Sequence, residues 1–157
     1  MRRLGIVLIA ALLVAACSSV DCPLYKTVEA RYKLAGVVDT LHDSLTVTSV
    51  KVDGADVVLN RLTQATEFVL QMSYNQPADI LVFAFKDTTD TTVKDTVTIK
   101  KTNAPHFESV DCPPAFFHKI THVEWTSNVI DSIAISNAQV NYDNSKGNLN
   151  LYLKPGH

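Results

Sequence analysis

Ser44-Leu45-Thr46-Val47-Thr48-Ser49-Val50-Lys51-Val52-Asp53-Gly54 decides the fold class. Leu45 and Val47 alternate with Ser44, Thr46 and Thr48, which puts the apolar side chains on one face of an extended chain, and Asp53-Gly54 supplies a turn. The same period of two recurs on both sides. Val28, Ala30, Tyr32 and Leu34 alternate with Glu29, Arg31 and Lys33. Phe68, Leu70 and Met72 alternate with Glu67 and Gln71, and Val97 and Ile99 with Thr96, Thr98 and Lys100. Phe117, Thr121, Val123 and Trp125 are expected on one face of a further strand, followed by Ile133 and Ile135, then by Leu149, Leu151 and Leu153. Ile80 to Phe85, after Pro77, is an unbroken apolar run, expected as a strand buried on both faces. Asn75 to Pro77, Asp87 to Asp90 and Asn144 to Gly147 punctuate these runs. Only Ala55 to Leu62 leaves a choice between helix and strand. About eight short strands without a helical stripe predict an all-β domain: a two-sheet antiparallel β-sandwich of immunoglobulin-like type, with a small β-barrel as the alternative.

The first residues carry an address. Arg2 and Arg3 precede an apolar run from Leu4 to Ala16, the pattern of a secretory signal peptide. The run is shorter than the roughly 20 residues of a spanning helix. It ends in Leu13-Val14-Ala15-Ala16-Cys17, which resembles a bacterial lipobox. Residues 1–16 are thus expected to be removed and Cys17 to carry the lipid; an ordinary signal peptide with a chance cysteine is the alternative. Residues 17–157 then form one lipid-anchored domain, large enough for a core of its own. The full chain has 14 basic and 16 acidic residues, a net charge of −2, and loss of Arg2 and Arg3 makes the remainder more acidic. That balance argues against nucleic acid and against electrostatic docking on anionic lipid.

Cys22 and Cys112 sit in a repeated pentapeptide, Ser19-Val20-Asp21-Cys22-Pro23 and Ser109-Val110-Asp111-Cys112-Pro113. In an oxidising compartment they are expected to pair, closing a loop of about 90 residues, on the order of 4 kcal/mol in the chain-entropy account. A redox-active pair or half of a metal site is the other reading. Only Ser18, Ser19, Val20 and Asp21 separate Cys22 from Cys17, a reach of about 14 Å at most.

The lipobox, the early Val-Asp-Cys-Pro, Pro105-His106-Phe107-Glu108-Ser109-Val110-Asp111-Cys112, Ile130-Asp131-Ser132-Ile133 and Asn148-Leu149-Asn150-Leu151-Tyr152 together resemble a family of small Bacteroidota lipoproteins with a domain of unknown function. The resemblance spans nearly all of residues 17–157. It implies lipid anchoring in a cell with two membranes, and no catalytic residues. Neither an acidic run nor an aspartate follows Cys17 directly, which predicts the outer membrane with the domain facing the periplasm; the cell surface is the alternative.

Candidate chemistry is sparse. His118 and His122, four apart in a strand, are expected to share a face with Glu124, a weak metal-ligand set because successive same-face residues lie about 7 Å apart. No Gly-x-Ser-x-Gly, Walker loop or dinucleotide fingerprint is present, and no cofactor is implied. Asp87, Asp90 and Asp95 match no calcium loop. Trp125 is expected in the core. An Asp-Ser/Thr-x triplet occurs six times, with hydroxyls on Thr40, Ser44, Thr88, Thr91, Thr96 and Ser132, where roughly one is expected by chance. It resembles the O-glycosylation acceptor of exported Bacteroidota proteins; turns that lead into β-branched strand starts would generate it too. The expectation is a non-enzymatic envelope lipoprotein that binds a protein partner or supports assembly. A ligand-binding module for glycan, lipid or metal, or an enzyme of another type, is the alternative.

Overall fold

The computed structural model describes Cys22, residues 28–143 and residues 145–157. Cys17 and the signal segment lie outside the described residues. Among the described residues ten strands follow one another: β1 (Glu29–Ala35), β2 (Ser44–Lys51), β3 (Gly54–Leu62), β4 (Glu67–Gln71), β5 (Ala78–Lys86), β6 (Thr92–His106), β7 (Ala115–Trp125), β8 (Ile130–Ile135), β9 (Gln139–Val140) and β10 (Leu149–Leu153). They form a four-stranded sheet, β4-β1-β10-β8, and a six-stranded sheet, β3-β2-β5-β6-β7-β9. Neither sheet closes on itself, so the architecture is a sandwich and not a barrel. The pairing is antiparallel except for one pair: β1 and β10 run parallel, with Tyr32 opposite Leu149 and Leu34 opposite Leu151.

The period-two residues meet between the sheets. Tyr32, Phe83, Phe85, Leu45, Ile99, Leu149 and Leu151 are almost fully buried. Tyr32 stacks on Phe68 at 4.9 Å, and Phe83 tilts against both rings at 6.1 and 6.2 Å. Each such apolar side chain contributes about 1.5–3 kcal/mol on burial, so this layer is the main force holding the sheets together.

One open choice is settled and two expectations need correction. Ala55 to Leu62 belongs to strand β3, an edge strand largely exposed on both faces, which is why no clean period marks it. The run Ile80 to Phe85 is not buried on both faces: Leu81, Phe83 and Phe85 point inward, while Ile80 is 42% exposed on the outer face. Phe117, Thr121, Val123 and Trp125 do not share one face. Lys100 pairs with His122, but Lys101 pairs with Ile120, so Thr121 is the extra residue of a β-bulge. A bulge shifts the alternation by one.

The strand directions sort the connections between two ends. Cys22, the β2–β3 turn, the β4–β5 turn, the β6–β7 connection and the 141–148 loop lie at one end. The β1–β2, β3–β4, β5–β6 and β7–β8 connections and the C-terminus lie at the other. The nine-residue β5 sets these ends on the order of 30 Å apart. Six residues of β6, Lys101 to His106, run on past the last pairing with β5 and pair with β7 alone. This ribbon projects at the first end.

Candidate functional site

The projecting ribbon carries the disulfide. Cys22 and Cys112 are bonded, their Cα atoms 5.5 Å apart, as their expected pairing requires. Phe116 and Phe117 follow at the start of β7, and consecutive strand residues face opposite ways. Each finds a ring. Phe116 stacks on Tyr74 of the β4–β5 turn at 5.1 Å. Phe117 stacks on His106 at 4.2 Å and meets the edge of Tyr142 at 5.0 Å. The ribbon is therefore propped on both faces by aromatic contacts.

Beneath it lies a buried polar cluster that the sequence reading missed. Asp79 and Lys101 face each other from β5 and β6, Nζ 2.7 Å from Oδ2, with the Lys101 side chain fully buried. The pair lacks hydrogen-bond alignment at Nζ; Asp79 Oδ1 accepts instead from the Ser73 backbone N–H at 3.3 Å. Burial pushes the Asp79 carboxyl up and the Lys101 ammonium down, and the attraction between them partly offsets both shifts. Burial, and then the nearby Asp79 charge, also raise the Tyr32 phenol. The signal was present: Lys101 continues the inward phase of Val97 and Ile99, and Asp79 that of Leu81 and Phe83.

His118 closes the cluster. Asn103 gives its Nδ2 hydrogens to the carbonyls of Tyr74 and Gln76 at 3.0 and 2.9 Å. Its Oδ1 must therefore accept, so His118 Nδ1 donates to it at 2.8 Å. That fixes the neutral tautomer and leaves Nε2 buried without a partner. Burial first, and then the Lys101 charge, push the His118 pKa down to about 4. His118 is thus a neutral structural imidazole at ordinary pH.

The bulge at Thr121 removes the metal-ligand set. His118 points inward, whereas His122 and Glu124 are exposed on the outer face beside Lys100. Among the described residues no group of three His, Cys, Asp or Glu side chains is placed to hold a metal ion. Trp125 is half-buried at the rim of the core, its Nε1 donating to the Asp131 carbonyl at 3.3 Å.

Between the β2–β3 hairpin and the β4–β5 turn lies an open groove of about 600 Å³. Lys51, Asp56, Tyr74 and Gln76 line its walls, and Met72, Asp79 and Leu81 its floor. Lys51 and Asp56 are ion-paired across the hairpin.

The opposite end is closed by carboxylates that bind its loops and the C-terminal segment. Asp95, nearly fully buried, accepts from Thr126 Oγ1 at 2.7 Å and from the backbone N–H groups of Asn128, Val129 and Ile130 at 2.7–2.8 Å. Burial raises its pKa, but the four hydrogen bonds together outweigh that and hold it below the usual carboxylate range. Asp87 accepts from the Thr89 and Thr91 N–H groups at 2.8 and 2.9 Å, and Asp43 from His157 at 2.9 Å. All six Asp-Ser/Thr triplets fall at this end or in the strand segments leading from it. Thr88 and Thr91 are exposed there, whereas Thr40, Ser44, Thr96 and Ser132 are half-buried.

Fold and site define a class: an all-β, two-sheet sandwich domain with a disulfide-capped end. The chain belongs to a family of unknown function, DUF6452, whose model matches residues 44–153. The match runs from the first residue of β2 to the last of β10 and leaves out β1 and Cys22. No curated protein and no solved structure matches the chain.

Proposed function

We propose that this chain is an exported lipoprotein of the bacterial envelope, acylated on Cys17, whose sandwich acts without catalysis as a protein-binding or assembly-supporting module on the periplasmic side of the outer membrane. One observation carries the reading. The Cys22–Cys112 bond ties the chain to the tip of the β6–β7 ribbon, with four residues between it and the lipobox cysteine. The domain is then a short-tethered body with one fixed end toward its anchor, which raises its effective concentration for partners in the same membrane. The titratable groups add weight: Asp87 is spent on its own turn, Asp95 on the β7–β8 connection and Asp43 on His157, and His118 is locked in one tautomer by Asn103.

The test combines mass spectrometry of the N-terminal peptide with crosslinking in intact cells. The peptide is expected to begin at Cys17 and to carry acyl chains. Crosslinks to one envelope protein are expected in the wild type and lost in Cys17→Ala. An unmodified Cys17, or crosslinks indifferent to it, would overturn the proposal.

The groove beside Tyr74 favours a second reading, a ligand-binding module, because its volume lies in the range of small-molecule sites. Chemical-shift changes at Ser73 to Gln76 on adding glycans, absent in Tyr74→Ala, would select it.

A further inference from the structure

We infer that the disulfide end is a membrane-contact face, with the β6–β7 connection seated in the headgroup layer of the bilayer that holds the anchor. The inference rests on the acylation of Cys17 proposed above and adds the docking geometry.

Exposed apolar side chains are unevenly distributed. Val52, Tyr74, Phe107, Val110 and Tyr142 all lie in the turns and loops of the disulfide end. Phe107 is 62% exposed and Val110 98% exposed, two to five residues before Cys112. Among the described residues the connections of the opposite end expose a single large apolar side chain, Val37. An aromatic and aliphatic rim of this kind fits a surface that is apolar on one side and wet on the other, as Tyr and Phe do at bilayer interfaces. A protein partner of similar chemistry would also fit such a rim, so the length of the tether decides the occupant. Cys22 is fixed to Cys112, and four residues span about 14 Å. With Cys17 acylated, Phe107 and Val110 are held within a loop's width of the lipid whether or not they bind it. Burying them removes apolar surface from water at little further entropic cost, because the anchor has already restricted the domain. The exposed charges at this end are mixed and lean acidic, with Lys51 and Lys146 against Asp53, Asp56, Glu108, Asp111 and Asp143, so the contact is apolar rather than electrostatic and should be insensitive to salt.

The experiment uses the mature acylated chain in phosphatidylcholine nanodiscs containing a spin-labelled lipid, read by NMR line broadening of backbone amides. Loss of signal is expected at 107–111, Tyr74 and Tyr142, with signals retained at Val37, Thr88 and Asp131 and no change at high salt. Phe107→Ser with Val110→Ser, both at exposed positions, should weaken the broadening at 107–111 relative to the wild type, leaving only the part that the tether alone produces, with the fold intact; equal broadening in the two would overturn the contact. Mass spectrometry of the same sample separates two failures. An unmodified Cys17 sinks the anchor and this face together. An acylated Cys17 with uniform or absent broadening sinks this face alone, and leaves the rim open to a protein partner.

Discussion

The two ends of the sandwich are finished with different chemistry. At the disulfide end a covalent bond, stacked rings and a buried ion pair hold loops that expose apolar side chains. At the opposite end Asp87 collects the N–H groups of its own turn and Asp95 those of the β7–β8 connection, and the surface is polar. Both fix loops where strands stop, and the second does so by pairing backbone groups. The carboxylate solution draws a loop tightly onto a single side chain. The disulfide and aromatic solution holds a long projecting ribbon in place while leaving its tip free to meet another surface.

The largest effect should come from removing the bond. Cys22→Ser with Cys112→Ser is expected to destabilise the domain by about 4 kcal/mol, mostly through a freer unfolded chain. Denaturant unfolding should then show a steeper slope as well as a lower midpoint, because more surface is exposed on unfolding. Asp95→Ala should cost slightly less, about 3 kcal/mol, by stranding the buried N–H groups of Val129 and Ile130. Its denaturant slope should be unchanged. Equal slopes in the two variants would erase the distinction between a staple that acts on the unfolded state and one that acts on the folded state.

Acid should find the disulfide end first. His118 has a folded pKa of about 4 against 6.5 for the free side chain, so the folded state binds fewer protons. Its contribution to stability is full above pH 6.5 and is lost as pH falls toward 4, up to about 3 kcal/mol over the window. Asp79 works against this, because its raised pKa makes the folded state take up a proton more readily. His118→Gln isolates the histidine part, and its unfolding midpoint should fall less between pH 7 and 4 than that of the wild type. Asp95 has a depressed pKa, so its contribution is lost only at lower pH, as pH falls through its folded value. A wild type and a His118→Gln variant with parallel pH profiles would break this ordering.

The smallest effect concerns backbone. Gly36, at the exit of β1, has φ +89, and an added Cβ would lie 3.0 Å from the Tyr152 ring. Gly36→Ala should cost about 1 kcal/mol at the polar end, seen as a lowered unfolding midpoint.

The sequence was readable where one face of a strand is buried and the other is not. β1, β2, β4, β6 and β10 follow this rule, and their inward residues form the core. It failed in β3, where neither face is buried and no period exists to read. It failed at β7, where one inserted residue, Thr121, reverses the face of everything beyond it, so the spacing of His118 and His122 implied a shared face that the strand does not have. The parallel union of β1 with β10 was out of reach, because no local pattern pairs residue 32 with residue 149. Asp79 and Lys101 were visible as charges in apolar phase, yet their meeting depends on the register of β5 against β6. The cysteine pair was legible because, with Cys17 read as the lipobox residue, Cys22 and Cys112 are the two that remain.

The place of β10 has a consequence for the order of events in the life of the chain. It lies between β1 and β8, so two strands from the first and last parts of the described chain form the centre of the smaller sheet. That sheet cannot be completed until Leu153 is available, and closing so long a loop is slow relative to the hairpins of the larger sheet. A polypeptide made N-terminus first therefore keeps β1 without its central partner until β10 has arrived. The smaller sheet is thus the last part of the fold to close, after the hairpins of the larger one.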